Sequence, residues 1–435
     1  MISSPPAKVD FVIGDSTRLQ MPAHGEALSQ AGAAWLTRAF RAFGAIPSDN
    51  SVTRIRRFRP CVGGSTGQKF FLTVEYERPD PDLHVDLFVK FSRDFTSRSR
   101  DDRGKHELAG EVRFAAASRA RNFPIVVPTA YFADYQQATH TGVLITEQVA
   151  FGRAGIEPHR AKCTDNDLDH PIEYYRVIIR ALARLAGDHA SGRLSASVGA
   201  QFPFDPVEAT ASCHIPFDNS ELDARISAFE TFVAHAPQLF PATVTSDLFA
   251  QIARHAGRFA EHQAEVRAFL VNDPDLIALC HWNANIDNAW FWRDASGALQ
   301  CGLMDWGHAG QLNLAFSLWG CLSGACLDVW NTYLDELIEL FVDELAARGG
   351  PRIAPEKLAL HLDLYVAMMG LSYFIDSPAR IIASFPAALK ASGPFDPVFR
   401  NSETGRNQLH IATAFLNLWR RHDFGSSLDR ALASQ

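Results

Sequence analysis

The stretch that decides the fold runs from Leu279 to Gly307 and reads LCHWNANIDNAWFWRDASGALQCGLMDWG. In it, short runs of apolar and aromatic residues alternate with polar turn residues, which is the pattern of short strands joined by tight loops. The predicted strands are Ile277–His281, Ala289–Trp292 and Gly302–Trp306. The stretch therefore predicts a small hairpin whose loops and strand ends carry polar side chains.

Two of these polar side chains have the chemistry of a metal site. Asn288 lies on the loop after the first strand, and Asp305 follows 17 residues later at the end of the last strand. Mg²⁺ that bridges phosphate oxygens is held by hard oxygen ligands such as a carboxylate and an amide. We therefore predict that Asn288 and Asp305 are Mg²⁺ ligands. Taken alone, each has a simpler interpretation, Asn288 as a turn residue and Asp305 as a helix N-cap.

The first part of the chain has the pattern of an antiparallel sheet. Runs rich in β-branched and aromatic residues predict five strands, with one helix from about His106 to Arg121 after the third strand. The predicted strands are Val52–Phe58, Lys69–Tyr76, Val85–Phe91, Val126–Phe132 and Thr141–Glu147. Beyond residue 152 helical spacing prevails, for example over Thr245–Leu270. The sequence thus predicts an α+β protein with two lobes, residues 1–150 as the N-lobe and residues 151–435 as a larger, mostly helical C-lobe.

A lysine of the third strand has a candidate partner on the helix. Lys90 closes the apolar strand DLFVKF, where a lysine is ordinarily an edge or solvent-facing residue. Glu111 follows 21 residues later on the predicted helix, and a lysine that contacts phosphates needs such a carboxylate to hold it. Glu107, four residues earlier on the same helix face, is the rival for this role. We predict that Glu111 is the partner.

A glycine-rich segment joins the first two strands. Gly63, Gly64, Ser65, Thr66 and Gly67 form the sequence GGSTG. Because glycine has no side chain and tolerates positive φ, such a loop can approach phosphates closely. By itself GGSTG is more often only a hairpin turn. The order of glycine loop, lysine, glutamate, asparagine and aspartate along the chain favours a phosphate site.

A run of charged residues from Ser92 to Lys105 precedes the predicted helix. It includes Arg93, Asp94 and Asp101. Charge runs are usually solvated, so we predict a solvated loop. A second interpretation is a mobile flap that attracts an anionic substrate.

The composition argues against several classes of protein. The 435 residues carry a net charge of -8, whereas a nucleic-acid-binding protein is normally basic. Seven scattered cysteines without a C-x-x-C pair do not indicate a disulfide framework, which favours the reducing cytoplasm. No signal peptide is evident, and no uninterrupted run of about 18 apolar residues occurs, so we expect no membrane span. The expected partner is a small molecule, and the sequence does not indicate an oligomeric state.

The hairpin residues resemble the aminoglycoside phosphotransferase and choline kinase group, especially its ecdysteroid kinase-like branch. In that family the loop is approximately H-G-D-x-x-x-x-N and the metal strand ends in D-W. His281, Asn288 and the pair Asp305-Trp306 match these positions here. The resemblance runs from roughly residue 50 to residue 325. It implies a bilobal, protein-kinase-like fold with ATP and Mg²⁺, in which His281 orients the loop backbone.

The first lobe matches the same family at several positions. The Gly63–Gly67 loop would cover the phosphates, Lys90 would contact the α- and β-phosphates, and Glu111 would position Lys90. The stretch VLITEQV resembles the strand that leads to the hinge around adenine. The resemblance therefore implies that Glu147 and Val149 offer backbone groups to the base.

The sequence departs from the family at the reaction centre. Asn283 occupies the place of the catalytic carboxylate, and Trp282 that of the glycine before it. An amide cannot accept the hydroxyl proton as a general base, so we predict that Asn283 orients the acceptor. Asp287 is the nearest carboxylate in the loop, but it aligns with a position whose backbone faces the nucleotide side.

Three functions remain open at this point. The first is an ATP- and Mg²⁺-dependent phosphotransferase acting on a hydroxyl of a small molecule. The many aromatic residues of the second lobe favour a hydrophobic acceptor. The second is a nucleotide-binding pseudokinase without turnover, because of Asn283. The third is nucleotidyl transfer with ATP bound in a reversed pose. A protein kinase is disfavoured because the sequence lacks D-F-G and A-P-E motifs.

Overall fold

The computed structural model describes residues 8–61, 63–194 and 196–434. Within these residues the chain forms two compact units. The first contains the described residues of Met1–Ile156, Leu194–Gln201 and Gly302–Ala309. The second contains those of Glu157–Arg193, Phe202–Cys301 and Gly310–Gln435. The predicted α+β class is confirmed, because an antiparallel sheet dominates the first unit and helices dominate the second.

The elements are numbered in chain order. The strands are β1 (Phe11–Ile13), β2 (Gln20–Pro22), β3 (Val52–Pro60), β4 (Gln68–Tyr76), β5 (Asp86–Phe91), β6 (Ala130–Gln136), β7 (Thr141–Glu147), β8 (Ile277–His281), β9 (Ala289–Arg293), β10 (Leu299–Leu303) and β11 (Ala309–Asn313). The helices are α1 (Gly25–Ala42), α2 (Arg98–Ala117), α3 (Pro171–Ala190), α4 (Ala196–Gln201), α5 (Pro206–Ala209), α6 (Asn219–His235), α7 (Ser246–Glu261), α8 (Gln263–Asn272), α9 (Leu314–Leu322), α10 (Leu327–Ala347), α11 (Pro355–Ser372), α12 (Ser377–Ser384), α13 (Pro397–Arg400), α14 (Glu403–Arg421) and α15 (Phe424–Ala433).

The sheet of the first unit has two covered faces. Strands β3 to β7 pair antiparallel in the order β3-β4-β5-β7-β6. Successive side chains of a strand point to opposite faces, so Val89 of β5 faces the core that includes Trp35 of α1. Lys90 therefore points to the other face, where Leu108 and Val112 of α2 pack on β6 and β7. The alternation of the strand thus directs Lys90 toward the helix.

The second unit is built around a pair of long helices. Helix α3 packs along α10 and also contacts β8. Arg176 of α3 pairs with Glu336 of α10 at 2.6 Å, and Arg184 pairs with Glu344 at 2.8 Å. Helix α9 packs on β8 and α11. These helices hold the strand from which the loop of His281 begins.

The predicted solvated loop before α2 is wrong. The helix begins at Arg98, and Arg93, Asp94 and Asp101 are buried. Arg93 donates to both carboxylate oxygens of Asp101, at 2.8 and 3.2 Å, and Lys105 lies 2.9 Å from the same carboxylate. Charged side chains can be buried when they are paired and hydrogen-bonded, and the Asp101–Lys105 spacing also supports a helix. The second part of the charge run therefore forms the start of α2, with Arg93, Asp94 and Asp101 buried and Arg98, Asp102 and Arg103 exposed.

Two predicted element boundaries in the middle of the chain also differ. The strand predicted over Val126–Phe132 lies instead at β6, after Pro128, because a proline has no N–H for a sheet ladder. The helix predicted over Thr245–Leu270 is divided into α7 and α8. His262 stands between them with a backbone ψ of 19°, which is not helical.

The strand predicted over Gly302–Trp306 ends earlier. Strand β10 stops at Leu303, and Asp305 lies in the turn that follows with a φ of 67°. Few residues other than glycine adopt such a left-handed conformation, and aspartate is among those that tolerate it. No helix begins at this turn, so the simpler interpretation of Asp305 as an N-cap is wrong.

Among the described residues, no single helix is long and apolar enough to cross a membrane, although the bent pair Pro355–Ser372 and Phe374–Ser384 meets the limits of length and composition.

Candidate active site

A lysine bridges two carboxylates in the first unit. The ammonium of Lys90 donates to Glu111 Oε2 and to Asp305 Oδ1, both at 2.7 Å. The side chains of Lys90 and Glu111 are 13% and 7% exposed, whereas that of Asp305 is 43% exposed. The predicted contact between Lys90 and Glu111 is confirmed. The contact with Asp305 joins the strand, the helix and the turn after β10 at one charge cluster.

Helix α2 also holds the turn that carries Asp305. Gly110 lies so close to this turn that an added Cβ would be 2.6 Å from the Gly307 carbonyl oxygen. One turn farther along α2, the ring of Phe114 stacks on Trp306 with centroids 3.6 Å apart and planes at 7°. The small residue and the stacked rings together fix the position of Asp305 against the helix.

The charges of this cluster are coupled. Burial alone lowers the pKa of Lys90, but the attraction of Asp305 and then of Glu111 outweighs it, so the net pKa is raised. Burial raises the pKa of Glu111 to about 7, against the opposing attraction of Lys90. Lys90 therefore stays charged at neutral pH. Glu111 is poised to lose part of its charge when its surroundings change.

The rival partner of Lys90 lies elsewhere. Among the described ion pairs, Lys90 joins Glu111 and Asp305, whereas Oε1 of Glu107 lies 3.9 Å from Nε2 of His308. Burial raises the pKa of Glu107, and the nearby Asp305 carboxylate raises it further, against the charge of His308. Glu107 thus adds a second carboxyl group to the neighbourhood of Asp305.

A second lysine lies beside the cluster, and the sequence analysis missed it. Lys69 of β4 is directly opposite Lys90 in the antiparallel register, so both side chains are on the same face of the sheet. Burial lowers the pKa of Lys69, and the charge of Lys90 lowers it further. The signal was present in the sequence, because pairing the strands on either side of the turn places these two lysines opposite each other.

The glycine-rich segment is the connection between β3 and β4, as predicted. Gly63, Gly64 and Gly67 have φ values of 115°, 79° and 50°, which are conformations that other residues rarely adopt. The start of the segment, through Ser65, is exposed, and Thr66 is partly buried. At its end, the N–H of Gly67 donates to the Arg100 carbonyl of α2 at 2.9 Å. The connection is thus tied to the helix that carries Glu111.

The backbone at the end of β7 is partly engaged. The N–H of Glu147 donates to the Thr129 carbonyl at 2.8 Å, so it is not available to a ligand in this conformation. The Glu147 carbonyl accepts the hydroxyl of Thr146 at 3.0 Å. Val149 lies two residues beyond, after the last residue of β7. This conformation therefore excludes the Glu147 N–H from the predicted contacts with adenine.

The loop of the second unit is arranged around a buried histidine. His281 is completely buried at the end of β8, and its Nδ1 accepts the backbone N–H of Asn283 at 3.2 Å. This bond places the proton of a neutral ring on Nε2. The geometry agrees with the expectation that His281 orients the loop backbone.

The loop is held by side-chain amides. Asn285 donates to Asn283 Oδ1 at 2.9 Å and to the Gly320 carbonyl at 2.7 Å. Asn288 Nδ2 donates to the backbone carbonyl of Asn283 at 2.8 Å, which leaves its amide oxygen as an acceptor. The side-chain oxygen of Asn283 already accepts the N–H of Asn285, which leaves the side-chain NH₂ group of Asn283 as a donor. Asn285, which is 1% exposed, was not predicted as part of the site.

Two other loop residues, Trp282 and Asp287, also lie against the protein interior. The indole N–H of Trp282 donates to the Tyr365 hydroxyl at 2.5 Å. Gly320 of α9 lies against the same residue, since an added Cβ would be 1.8 Å from the Trp282 carbonyl oxygen. Burial raises the pKa of Asp287, whose Oδ1 is buried without a hydrogen bond in the part of the chain described.

A cavity of about 350 Å³ lies within the second unit. One part of its wall is apolar and includes Leu239, Phe240 and Phe395. Its charged residues are balanced in sign: Asp167, Asp328, Arg400 and Arg406. The volume falls within the range of small-molecule sites, and the mixed wall suits a compact amphipathic ligand.

The cavity and the asparagine loop share a wall segment. Asn285 Oδ1 accepts the N–H of Gly324 at 3.0 Å. His410, which lines the cavity, contacts the carbonyl oxygen of the next residue, Ala325, through Nε2 at 2.7 Å. One backbone turn therefore connects the loop of Asn283 with the wall of the cavity.

No protein-family model and no curated protein matches this chain. Among solved structures, a choline/ethanolamine kinase family protein from Mesorhizobium loti is similar with a TM-score of 0.41 and 16% identity, over 92% of this chain and 99% of that one. A spectinomycin phosphotransferase in complex with ADP and spectinomycin gives a TM-score of 0.41 and 15% identity, over 84% and 94% of the two chains. Choline kinase from Cryptosporidium parvum Iowa II gives 0.40 and 10%, over 92% and 95%. With TM-scores this low, the family resemblance and its ecdysteroid kinase-like branch stay predictions.

Proposed function

We propose that this protein is an ATP- and Mg²⁺-dependent phosphotransferase that acts on a hydroxyl group of a small, largely apolar molecule. The observation that carries the proposal is the Lys90 ammonium, held by Glu111 and Asp305 at 2.7 Å each. Burying a lysine against two carboxylates from distant parts of the chain is costly unless the pairing is complete. Such an arrangement suits a group that must stay charged and fixed for phosphate binding.

The roles in the first unit follow from the chemistry of each group. Lys90 contacts the α- and β-phosphates, and Glu111 keeps its ammonium in place. The Gly63–Gly67 connection brings backbone N–H groups to the phosphates without side chains in the way. The Glu147 carbonyl and the Val149 N–H form hydrogen bonds with adenine.

The metal ligands are proposed from their donor atoms. Asp305 supplies a carboxylate that is 43% exposed. Asn288 supplies its amide oxygen, since its hydrogen bond to the Asn283 carbonyl uses only the amide nitrogen. Such hard oxygen donors are the ligands that Mg²⁺ prefers. When bound, Mg²⁺ neutralises charge on the phosphate oxygens.

The transfer step does not require a carboxylate at position 283. The acceptor oxygen forms a bond to the γ-phosphorus, the bond from that phosphorus to the bridging oxygen breaks, and ADP leaves with the electron pair. The hydroxyl proton passes to solvent or to a phosphate oxygen, because the amide of Asn283 cannot take it. A general base contributes typically about 10²- to 10⁴-fold, whereas positioning and charge stabilisation dominate phosphoryl transfer. Asn283 donates its N–H group to the acceptor oxygen and orients it.

The acceptor is proposed to bind in the cavity of the second unit. A polycationic acceptor needs a wall in which carboxylates predominate. Here Asp167 is paired with Arg400 at 2.6 Å, and the guanidinium of Arg406 donates to the backbone carbonyls of Lys162 and Arg400. With two arginines and two aspartates on the wall, a compact apolar alcohol without multiple positive charges is the better fit.

Turnover tests this function directly. The full chain is incubated with ATP, Mg²⁺ and a panel of small alcohols, and products are identified by mass. The account predicts a phosphate added to an apolar alcohol, and loss of the product in Asp305→Ala. An added AMP would indicate nucleotidyl transfer instead. Absence of any product with every acceptor would contradict the proposed reaction.

A second candidate, a nucleotide-binding protein without turnover, is favoured by the engaged oxygen of Asn283. The variant Asn283→Asp separates the two. It keeps an oxygen to accept the Asn285 N–H and adds a proton acceptor. A large gain in ATP consumption would favour a protein that has lost its activity, whereas a loss would show that the amide suits the native reaction.

A further inference from the structure

We propose that Lys69 is a second phosphate-contacting residue, which binds the polyphosphate together with Lys90. The inference rests on the proposed function and adds a residue that neither the sequence motifs nor the family resemblance indicated. Its basis is the pairing of two lysines on one face of the sheet, of which, within the described residues, only Lys90 has hydrogen-bonded acidic partners.

The register brings the two ammonium groups to the same side. Lys69 of β4 and Lys90 of β5 are Cα partners in the antiparallel ladder. Side chains directly opposite in such a ladder have Cβ atoms about 4.5–5.5 Å apart, and like charges at these positions are destabilising. A protein that keeps this arrangement in a half-buried place requires a compensating negative charge.

The carboxylates nearby are already committed to Lys90. Glu111 and Asp305 each accept from Lys90 at 2.7 Å. Within the described residues, no hydrogen bond or ion pair reaches the Lys69 ammonium. The carboxylates of Asp305, Glu111 and Glu107 attract the Lys69 ammonium through space, but in the part of the chain described none of them accepts a hydrogen bond from it.

The glycine connection lies directly against this cation. An added Cβ on Gly64 would be 2.2 Å from Nζ of Lys69, so the end of the lysine side chain lies against the backbone of this segment. Gly64 also has a φ of 79°, which other residues rarely adopt. The ammonium thus lies beside the exposed segment that is proposed to cover the phosphates, where the oxygens of a polyphosphate would accept its N–H groups.

The direct test measures the affinity of the full chain for ATP and for adenosine by calorimetry, for the wild type and Lys69→Gln. Charged hydrogen bonds are among the stronger ones, so Lys69→Gln is expected to weaken ATP binding by about 10- to 100-fold. Adenosine, which has no phosphate, should bind both proteins equally. Lys69→Arg should retain part of the ATP affinity, and Lys8→Gln, at an exposed pair with Glu26, should retain all of it.

The stability of the ligand-free protein tests whether Lys69 has a purely structural role. Because removal of a like charge relieves repulsion, we expect Lys69→Gln without ligand to melt at the wild-type temperature or above it. Equal ATP affinity of Lys69→Gln and the wild type would overturn the inference and leave the proposed function intact. Equal weakening of ATP and adenosine would overturn it as well. If the wild type binds neither ligand, the proposed function and this inference both fail.

Discussion

The lysine cluster of the first unit and the asparagine loop of the second are organised by opposite means. Lys90, Glu111 and Asp305 are charged and satisfy one another across a strand, a helix and a turn. Asn283 and Asn285 are neutral, and hydrogen bonds from the Asn285 amide to Asn283 Oδ1 and to the Gly320 carbonyl hold the loop. Charge pairing therefore stabilises the cluster, and this contribution depends on pH. Hydrogen bonds between neutral groups stabilise the loop, and their contribution does not depend on pH.

The largest effect should come from removing the cation of the cluster. Lys90→Met leaves two carboxylates without their partner, and breaking a buried pair costs about 3–5 kcal/mol. Chemical denaturation should show this loss in the free energy of unfolding. Because the penalty comes from an unpaired charge, Lys90→Met combined with Glu111→Leu should regain part of it.

The exposed pair of Lys8 and Glu26 provides the control, since Lys8→Met should cause no measurable change. A stability of Lys90→Met equal to that of the wild type would show that the cluster is not held by charge pairing.

The next effect is expected in the loop. Asn285→Ala removes four hydrogen bonds at a residue that is 1% exposed, to Asn283, Gly320, Ser323 and Gly324. The buried groups left without partners should lower the free energy of unfolding by about 3 kcal/mol. This loss should be the same at pH 5 and pH 8, in contrast to the cluster. Asn219→Ala, on the exposed start of α6, is the control, and a pH-dependent loss in Asn285→Ala would break the distinction.

A smaller effect is expected where α2 meets the turn of Asp305. Gly110→Ala places a Cβ 2.6 Å from the Gly307 carbonyl, so the helix or the turn must shift. Overpacking of this kind costs about 1–3 kcal/mol. Gly199→Ala, in a helix with no atom within 4 Å of the added Cβ, should be neutral or slightly stabilising. Equal stability of the two variants would mean that the close approach does not constrain the turn.

The last effect is the pH dependence that Glu111 confers. Its folded pKa is about 7, above its ordinary value of 4.5, so the folded state binds this proton more tightly than the unfolded chain. The corresponding stability is fully present below pH 4.5 and is lost as the pH rises through 7. In denaturation curves between these values, the wild type should lose stability with rising pH and Glu111→Gln should lack that component. Parallel curves for the two proteins would contradict the raised pKa.

The sequence predicted the parts of the site that follow from local pattern. The strand of Lys90, the helix of Glu111 and the loop of His281 each have a period or a turn that a short window contains. The contact of Lys90 with Asp305 depends on a turn 215 residues away, and no local pattern encodes it. Lys69 was missed because its importance appears only when β4 and β5 are placed in register.

The wrong predictions also come from contacts that a local pattern does not encode. The run around Arg93 and Asp101 was predicted to be solvated because charge alone favours water, yet the two side chains neutralise each other in the interior. Asp305 was predicted to be part of a strand because its neighbours are apolar. The apolar ring of Trp306 instead lies in a turn and stacks on Phe114. Pairing between specific side chains, which the local pattern does not show, decided both cases.

The most direct test of the central claim is a thermal-unfolding titration of the purified full chain with ATP, with and without Mg²⁺. A ligand present at about 100 times its Kd adds roughly 2.7 kcal/mol of stability, which moves the melting temperature visibly. The account predicts this shift for ATP with Mg²⁺, a smaller one without the metal, and a loss of the Mg²⁺ effect in Asp305→Ala. No shift with any nucleotide, with Mg²⁺ present, would contradict the assignment of the Lys90 cluster as a phosphate site.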